Sequence, residues 1–285
     1  SFTLDTAAPN APVLTLGTGV SGGATALEAT ASTGVVSLTA EQGATVVVTF
    51  SDGTHSFTKT VLGNGSTAVA VVLSSAERAS LTDGPISVSA VATDAAGNAS
   101  NAGATTFTLD TQAPSTPSVP AFYNDNVGSI TSANSTASTT DDTTPGVQVG
   151  AGLTDTPKLY VDGVLTTATY NSTSGTLTPT APLSTGTHTF SYTLTDAAGN
   201  ESAASPALSM NILAAPVFTS AATATFAENT ATSSTVYTAQ ATQSGSTLTY
   251  SLSGTDASKF SINATTGALT FVASPNYEAP TDVGA

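Results

Sequence analysis

Hydrophobic and polar residues alternate with a period of two along much of this chain, and the pattern predicts β-strands. Residues 45–50 and 189–194 show it clearly, with β-branched or aromatic side chains at many of their positions. Asp162-Gly163 separates two further runs and predicts a tight hairpin, because both residues tolerate a positive φ. Only residues 75–79 predict a helix, and a very short one. About seven short strands per 100 residues indicate an all-β fold of Greek-key sandwiches.

Two motifs occur twice in the sequence. Thr3-Leu4-Asp5-Thr6 returns at 108–111, and Thr93-Asp94-Ala95-Ala96-Gly97-Asn98 returns at 195–200. A period of roughly 100 residues predicts similar modules joined end to end. We expect the modules to follow one another as an extended rod.

Proline residues mark the predicted linkers between modules. Pro9, Pro114 and Pro216 each follow two residues that include at least one alanine. The predicted organisation is the end of a preceding module with its linker at 1–8, two sandwiches at 9–111 and 112–214, and a partial sandwich at 215–285.

The third module is about 70 residues long, shorter than the roughly 100 residues that such a sandwich needs. We expect it to be the least stable part, because a sandwich without its last strands leaves part of its apolar face uncovered. Seven apolar residues are predicted to form one core that needs further strands as a lid: Leu248, Tyr250, Leu252, Phe260, Ile262, Leu269 and Phe271.

The charge of the chain restricts its partners. Its 285 residues include 19 acidic and only four basic side chains, for a formal net charge of −15. Nucleic acids and anionic membrane surfaces are poor partners, because both are bound mainly through Lys and Arg. The sequence has no cysteine and no stretch approaching the ~20 apolar residues of a membrane helix. Most carboxylates must be solvated, hydrogen-bonded or bound to a hard cation such as Ca²⁺.

Strand order predicts which acidic residues meet. Successive strands of a seven-strand sandwich alternate in direction, so the loop before the last strand lies beside the linker that enters the module. The turn after the second strand is predicted at the same end. We expect one cluster of Asp5, Glu41, Asp94 and Asn98, and a second of Asp110, Asp196 and Asn200.

Both clusters are predicted calcium sites. Two carboxylates about 4 Å apart repel by roughly 4 kcal/mol at an effective dielectric of 20. Few basic residues can relieve this repulsion, and ligands that are all oxygen favour Ca²⁺ over Zn²⁺ or Cu²⁺. The alternative is that Asp-Ala-Ala-Gly-Asn is a turn whose Asp and Asn bond their own backbone. That alternative does not explain the matching aspartate in both linkers.

A further acidic group precedes and follows a long Ser/Thr segment of the second module. It consists of Asp125, Asn126, Asp141 and Asp142, and we predict that one calcium ion holds this loop. The alternative is a flexible acidic loop without a metal. Three other aspartates precede glycine and are predicted to form turns: Asp52, Asp83 and Asp162.

Catalytic motifs are weak. Gly19-Val20-Ser21-Gly22-Gly23 matches the Gly-x-Ser-x-Gly nucleophile pattern, which needs a strand, a turn and a helix together with a histidine. We predict no helix after it, and His55 and His188 lie in different modules. The two histidines and the lack of cysteine also argue against a zinc site. We expect no enzyme activity.

The linker motif Phe-Thr-Leu-Asp-Thr-x-Ala-Pro and the Thr-Asp-Ala-Ala-Gly-Asn loops resemble the bacterial immunoglobulin-like repeats of giant, type I-secreted RTX adhesins. The third module resembles a cadherin-type repeat, through Glu228-Asn229 and Tyr277-Glu278, but it has Asn276 where that family usually has an acidic residue. The resemblance implies calcium binding by Glu228 and Glu278 at the joint to a next module. It also implies a secreted protein at the bacterial cell surface.

These observations together predict a calcium-stiffened extender segment of a large bacterial adhesin, whose partners are calcium and the neighbouring repeats of the same chain. The distal ligand is not predicted. Two alternatives remain open: a carbohydrate- or protein-binding part of such an adhesin, or accessory modules of a secreted hydrolase. Binding segments usually carry an exposed aromatic cluster, whereas the tyrosines here are scattered and there is no tryptophan.

Overall fold

The computed structural model describes residues 4–127, 132–214, 216–243 and 247–276. The chain is all-β, as the residue pattern predicted. It divides into two compact units, one of residues 4–120, 149–177 and 191–207, and the other of the described residues in 121–148, 178–190 and 208–276. Each is described by itself.

The first sandwich is formed by seven antiparallel strands in two sheets. One sheet has the order β1-β2-β5 and the other the order β4-β3-β6-β7. The strands are β1 (Val13–Leu16), β2 (Val36–Ala40), β3 (Thr45–Ser51), β4 (Ser56–Leu62), β5 (Gly65–Val71), β6 (Gly84–Thr93) and β7 (Gly103–Leu109).

The core of the first sandwich follows from the alternation of its strands. Val46, Val48 and Phe50 of β3 are fully buried, while the residues between them are exposed or half-buried. Strand β6 buries Ile86 and Val88 in the same way. Each such side chain gains roughly 1.5–3 kcal/mol from burial. This register is set because a shift by one residue would turn the apolar side chains toward water.

Two short helices flank these strands, and both begin with a capping box. Helix α1 (Ala26–Ala29) is capped by Thr25 with Glu28, and helix α2 (Ser75–Ala79) by Ser74 with Glu77. The helix at 75–79 is confirmed. The prediction that no helix follows the Gly-x-Ser-x-Gly motif is wrong, because the reciprocal hydrogen bonds of the capping box support a turn of helix that is too short to show periodicity.

The second module has ten strands among its described residues. They are β8 (Tyr123–Asp125), β9 (Ser132–Ser135), β10 (Thr139–Thr140), β11 (Gly146–Gln148), β12 (Thr156–Val161), β13 (Val164–Thr166), β14 (Ala168–Asn171), β15 (Thr176–Pro179), β16 (Gly186–Thr195) and β17 (Leu208–Ile212). In the first unit β12 and β13 form the predicted hairpin, in which Asp162 and Gly163 have φ of 52° and 75°. In the second unit β17 pairs antiparallel with β16 and parallel with β10.

The third module has only small sheets among its described residues. Strands β19, β22 and β21 form one and β18 and β20 the other. The bounds are β18 (Val217–Phe218), β19 (Tyr237–Thr238), β20 (Ala241–Thr242), β21 (Phe260–Ile262) and β22 (Ala268–Phe271). Of the seven predicted core residues only Phe271 is buried, at 7% exposure. The aromatic rings of Phe226 and Phe260 pack on it, and the other predicted core residues are half-buried or exposed.

Candidate functional site

The segment that leaves the first sandwich is bound to that sandwich by its backbone. Strand β7 ends at Leu109, and the N–H of the next residue, Asp110, donates to the carbonyl of Ala24 at 3.0 Å. The N–H of Ala24 donates in return to the carbonyl of Thr108 at 2.7 Å. The start of the linker therefore continues the hydrogen bonding of the sandwich.

A side chain of the first sandwich also holds the linker. Both carboxylate oxygens of Asp83 accept from the hydroxyl of Thr111, and Oδ2 also accepts from the N–H of Thr111 at 3.0 Å. Asp83 is predicted as a turn former, and its carboxylate in addition binds the linker. This contact is possible because the start of β6 lies beside the end of β7.

The 196–200 loop of the second module binds the same linker from the other side. Asn200 Nδ2 donates to the backbone carbonyl of Asp110 and to Asp196 Oδ2, at 3.0 Å in each case. Asp196 Oδ1 accepts from the N–H groups of Gly199 and Asn200. Partial burial raises the pKa of Asp196, but the hydrogen bonds from Asn200 and Gly199 outweigh it, and the pKa lies below its ordinary value. The aspartate is thus held ionised inside its own loop.

The 94–98 loop of the first sandwich repeats this arrangement. Asn98 Nδ2 donates to Asp94 Oδ2 at 2.8 Å and to the backbone carbonyl of Asp5 at 3.2 Å. The hydrogen bond from the Asn98 side chain lowers the pKa of Asp94. The prediction that each loop faces its linker is confirmed. In each case the side-chain amide of the asparagine contacts the backbone carbonyl of the linker aspartate. The hydrogen bonds within each loop are those expected of a turn whose Asp bonds its own backbone.

Glu41 lies in the turn between β2 and β3. Thr45, at the start of β3, pairs with Thr93, which immediately precedes Asp94, so the turn and the 94–98 loop leave the sheet at the same end. Within the described residues, however, no hydrogen bond or ion pair joins the exposed Glu41 side chain to the other members of its predicted cluster.

Two glycines of the first sandwich pack directly on the 196–200 loop, a contact that sequence reasoning missed. A methyl group built on Gly22 would lie 2.7 Å from the carbonyl oxygen of Ala197. One built on Gly23 would lie 3.1 Å from Ala198 Cβ and 3.9 Å from Asp110 Cβ. The only sequence signal was the glycine pair that ends the Gly-x-Ser-x-Gly match.

The Asp125 group of the second module contains two deeply buried carboxylates. Asp142 is fully buried and Asp125 is 6% exposed. Asp142 Oδ1 accepts from the N–H of Thr144 at 2.7 Å, and Asp125 Oδ2 accepts from Thr140 Oγ1 at 3.0 Å. Thr140 Oγ1 also accepts from the N–H of Asp142, which connects the two aspartates through one hydroxyl.

The charges of this group repel one another. Burial raises the pKa of Asp125, and the negative charges of Asp141 and Asp142 raise it further. The described lysines that form ion pairs do so elsewhere, Lys59 with Glu77 and Lys158 with Glu201. The group therefore contains buried negative charge that no basic side chain neutralises in the described part of the second module.

The two remaining candidates are the glutamates of the third module. Glu228 is exposed, and Glu278 lies outside the described residues. Across the described ranges, no three His, Cys, Asp or Glu side chains converge as a metal site. Ser21 has no histidine partner, because His55 bonds Asp52 and His188 bonds Ser184. No helix in the part of the chain described is long and apolar enough to cross a membrane.

Residues 116–212 match the family model of the bacterial Ig-like domain. This segment is therefore similar to bacterial Ig-like domains. The predicted resemblance to bacterial immunoglobulin-like repeats is confirmed for these residues. The matched residues include both the 196–200 loop and the buried pair Asp125 and Asp142. No curated protein matches the sequence.

Several solved structures resemble the chain at low identity. A 1.5-MDa bacterial ice-binding adhesin is 22% identical over 70% of this chain and 63% of its own, with a TM-score of 0.35. A tetra-tandem repeat from the extending region of a large adhesion protein is 23% identical over 76% and 53%, with a TM-score of 0.27. EC22-24 of mouse cadherin-23 is 16% identical over 95% and 90%, with a TM-score of 0.22. The chain thus spans less than two thirds of the two adhesin structures.

Proposed function

We propose that this chain is a non-catalytic spacer in a large bacterial surface adhesin, and that calcium stiffens the joints between its modules. One observation carries the proposal: the linker at Asp110 and Thr111 is bound from both sides. The first sandwich holds it through Ala24 and Asp83, and the second module holds it through Asn200.

A spacer needs joints that resist bending. Opening this joint would break the hydrogen bond from Asn200 to the Asp110 carbonyl and expose the contact between Ala198 and Gly23. One such hydrogen bond contributes about 0.5–1.5 kcal/mol. A spacer under tension therefore needs a second and stronger interaction across the joint, and a bound cation would provide one.

The oxygen atoms of the joint suit calcium. Asp110 O and Asp196 Oδ2 both accept from Asn200 Nδ2, so two oxygens already point at one position. Rotating the Asn200 amide would exchange its nitrogen for a third oxygen. The Asp110 carboxylate, whose Oδ1 accepts from the N–H of Gln112, would have to turn to supply a further ligand. Calcium takes six to eight oxygen ligands from carboxylates, amides, carbonyls and water. A bound ion would neutralise both aspartates and cross-link the linker to the loop.

We propose a second calcium ion at the Asp125 group, which would have to draw together carboxylates that do not converge as a metal site among the described residues. The members of this group supply oxygen donors only, and the burial of Asp125 and Asp142 without a basic partner is costly unless a cation is present. Asp141 would supply further carboxylate oxygens. An ion there would hold the segment between β8 and β11 onto the second module.

The joint proposal is tested by Asp110→Ala, which removes the carboxylate but keeps the carbonyl that binds Asn200. Small-angle scattering in calcium should give a shorter maximum dimension for the variant than for the wild type, because the joint hinges. Asp5→Ala is the matched control, since it makes the same change in the first linker, and its dimension should equal that of the wild type. Equal dimensions for all three proteins in calcium would contradict calcium stiffening at this joint.

A further inference from the structure

The two copies of the Asp-Ala-Ala-Gly-Asn loop have different surroundings. Their internal hydrogen bonds largely correspond, and in both copies the asparagine bonds the carbonyl of the linker aspartate. In the 196–200 loop, however, Ala198 is buried at 8% exposure, whereas Ala96 at the same position of the 94–98 loop is exposed. The preceding alanines, Ala197 and Ala95, are exposed in both copies.

A socket of small residues covers Ala198, formed by Gly22 and Gly23 of the first sandwich. Gly23 has a φ of 121°, where a side chain is strained, and a methyl there would press on Ala198. Gly22 faces the Ala197 carbonyl so closely that a methyl would clash with backbone. The hydrogen bonds of Ala24 hold this socket beside the linker. Only glycine admits the loop at both positions.

We propose that the 94–98 loop is also a docking surface, and that its partner is a preceding sandwich. That sandwich would have a glycine pair like Gly22-Gly23 at its exit end, the end at which the chain leaves the sandwich for the linker. The linker half of the arrangement is already in place, because Asn98 bonds the Asp5 carbonyl as Asn200 bonds Asp110. The Ala96 methyl is exposed, whereas the corresponding Ala198 methyl is buried. This inference rests on the proposed spacer role, since it takes the partner to be another repeat in line.

The docked contact contains no charged group and needs no ion. In the occupied joint it consists of the Ala198 methyl and the Ala197 carbonyl against glycine backbone, and in the 94–98 loop Asp94 keeps its charge turned toward Asn98. The packing should therefore persist when calcium is removed. This separates it from the calcium proposal, which concerns the oxygen atoms of the same joint.

The test extends the chain by one sandwich. Residues 9–106 are copied ahead of residue 2, because Phe2-Thr3-Leu4-Asp5-Thr6 repeats residues 107–111 and makes the join seamless. The chain has no cysteine, so Ala96→Cys introduces a unique thiol whose alkylation rate reports exposure. Cys at this position should react rapidly in the original chain and about tenfold more slowly in the extended chain.

Two controls identify the socket as the cause. Ala95→Cys should react rapidly in both chains, because its counterpart Ala197 stays exposed in the occupied joint. Gly22→Ala in the added copy should restore rapid reaction of the thiol at Ala96→Cys. Equal rates in the original and extended chains would overturn the proposal, as would protection that survives Gly22→Ala.

Hydrogen exchange of the peptide spanning residues 94–98 repeats the comparison without a substitution in the loop, and should slow in the extended chain. Both measurements are made with calcium and with EDTA. Protection in both conditions supports the docking contact, and it does so even if calcium changes nothing and the calcium proposal fails. Protection only in calcium would overturn the packing inference while leaving the calcium proposal intact.

Discussion

Replacing Asp125 by asparagine should have opposite effects on stability with and without calcium. Asparagine has nearly the same shape, and its side-chain oxygen can accept the hydrogen bond that Thr140 Oγ1 donates. In EDTA the substitution removes a buried charge that is repelled by Asp141 and Asp142. In calcium it removes a charged ligand from the proposed ion.

The expected magnitudes follow from the burial. A buried charge without a basic partner destabilises the folded state, so we expect its removal by Asp125→Asn to stabilise the protein by about 1–2 kcal/mol in EDTA. A change of 1 kcal/mol shifts the Tm of a domain of this size by about 4–8 °C. Calcium at 100 times its Kd stabilises the wild type by about 2.7 kcal/mol, a gain that the variant should largely lose. The variant should therefore melt above the wild type in EDTA and below it in calcium.

Calorimetry at pH 7 measures both arms, and hydrogen exchange of peptides from β11 and β12 assigns the transition to this module. Asp155→Asn is the matched control, because it removes one charge from a half-buried position of the same module outside the Asp125 group, and it should shift the melting temperature neither in EDTA nor in calcium. In EDTA the gain should shrink as the pH falls through the raised pKa of Asp125, because the wild-type carboxyl is then neutral too. Destabilisation of equal size in both solutions would refute the reasoning, and equal stabilisation would exclude the ion.

Three further outcomes follow from the structure. Asp83→Ala removes the acceptor of the Thr111 hydrogen bonds, so spin labels on either side of the joint should show a broader distance distribution, and an unchanged width would contradict the tether. The hydrogen bond from Lys158 lowers the pKa of Glu201 from 4.5 to about 2, so its stabilising contribution is full above 4.5 and lost as the pH falls through about 2. Urea denaturation of Glu201→Gln should therefore depend less on pH in that window than the wild type, whereas parallel profiles would argue against the ion pair. Residues 247–276 should exchange amide hydrogens faster than the first sandwich, and equal protection would show that their core is closed.

The sequence by itself determined the all-β fold, strand β3 of the first sandwich and the meeting of each loop with its linker. These features depend on local rules. Alternation fixes which side chains of β3 and β6 face the core, and Asp162-Gly163 selects a two-residue hairpin because both residues adopt positive φ. Strand direction places the loop before β7 beside Asp5. Because the loop motif is repeated, the same contact is predicted at the second linker.

Only the tertiary structure decided what the acidic residues and glycines contact. Asp83 resembles Asp52 and Asp162 in sequence, since each precedes glycine, yet its carboxylate binds the linker because β6 begins beside the end of β7. No periodicity marks Asp142 as more buried than Asp141.

The packing of Gly23 on Ala198 joins residues far apart in the chain, and it depends on how the exit end of one sandwich receives the loop of the next. Glycine has no side chain from which this contact could be predicted, so the role of the pair is visible only in the packing of the folded backbone.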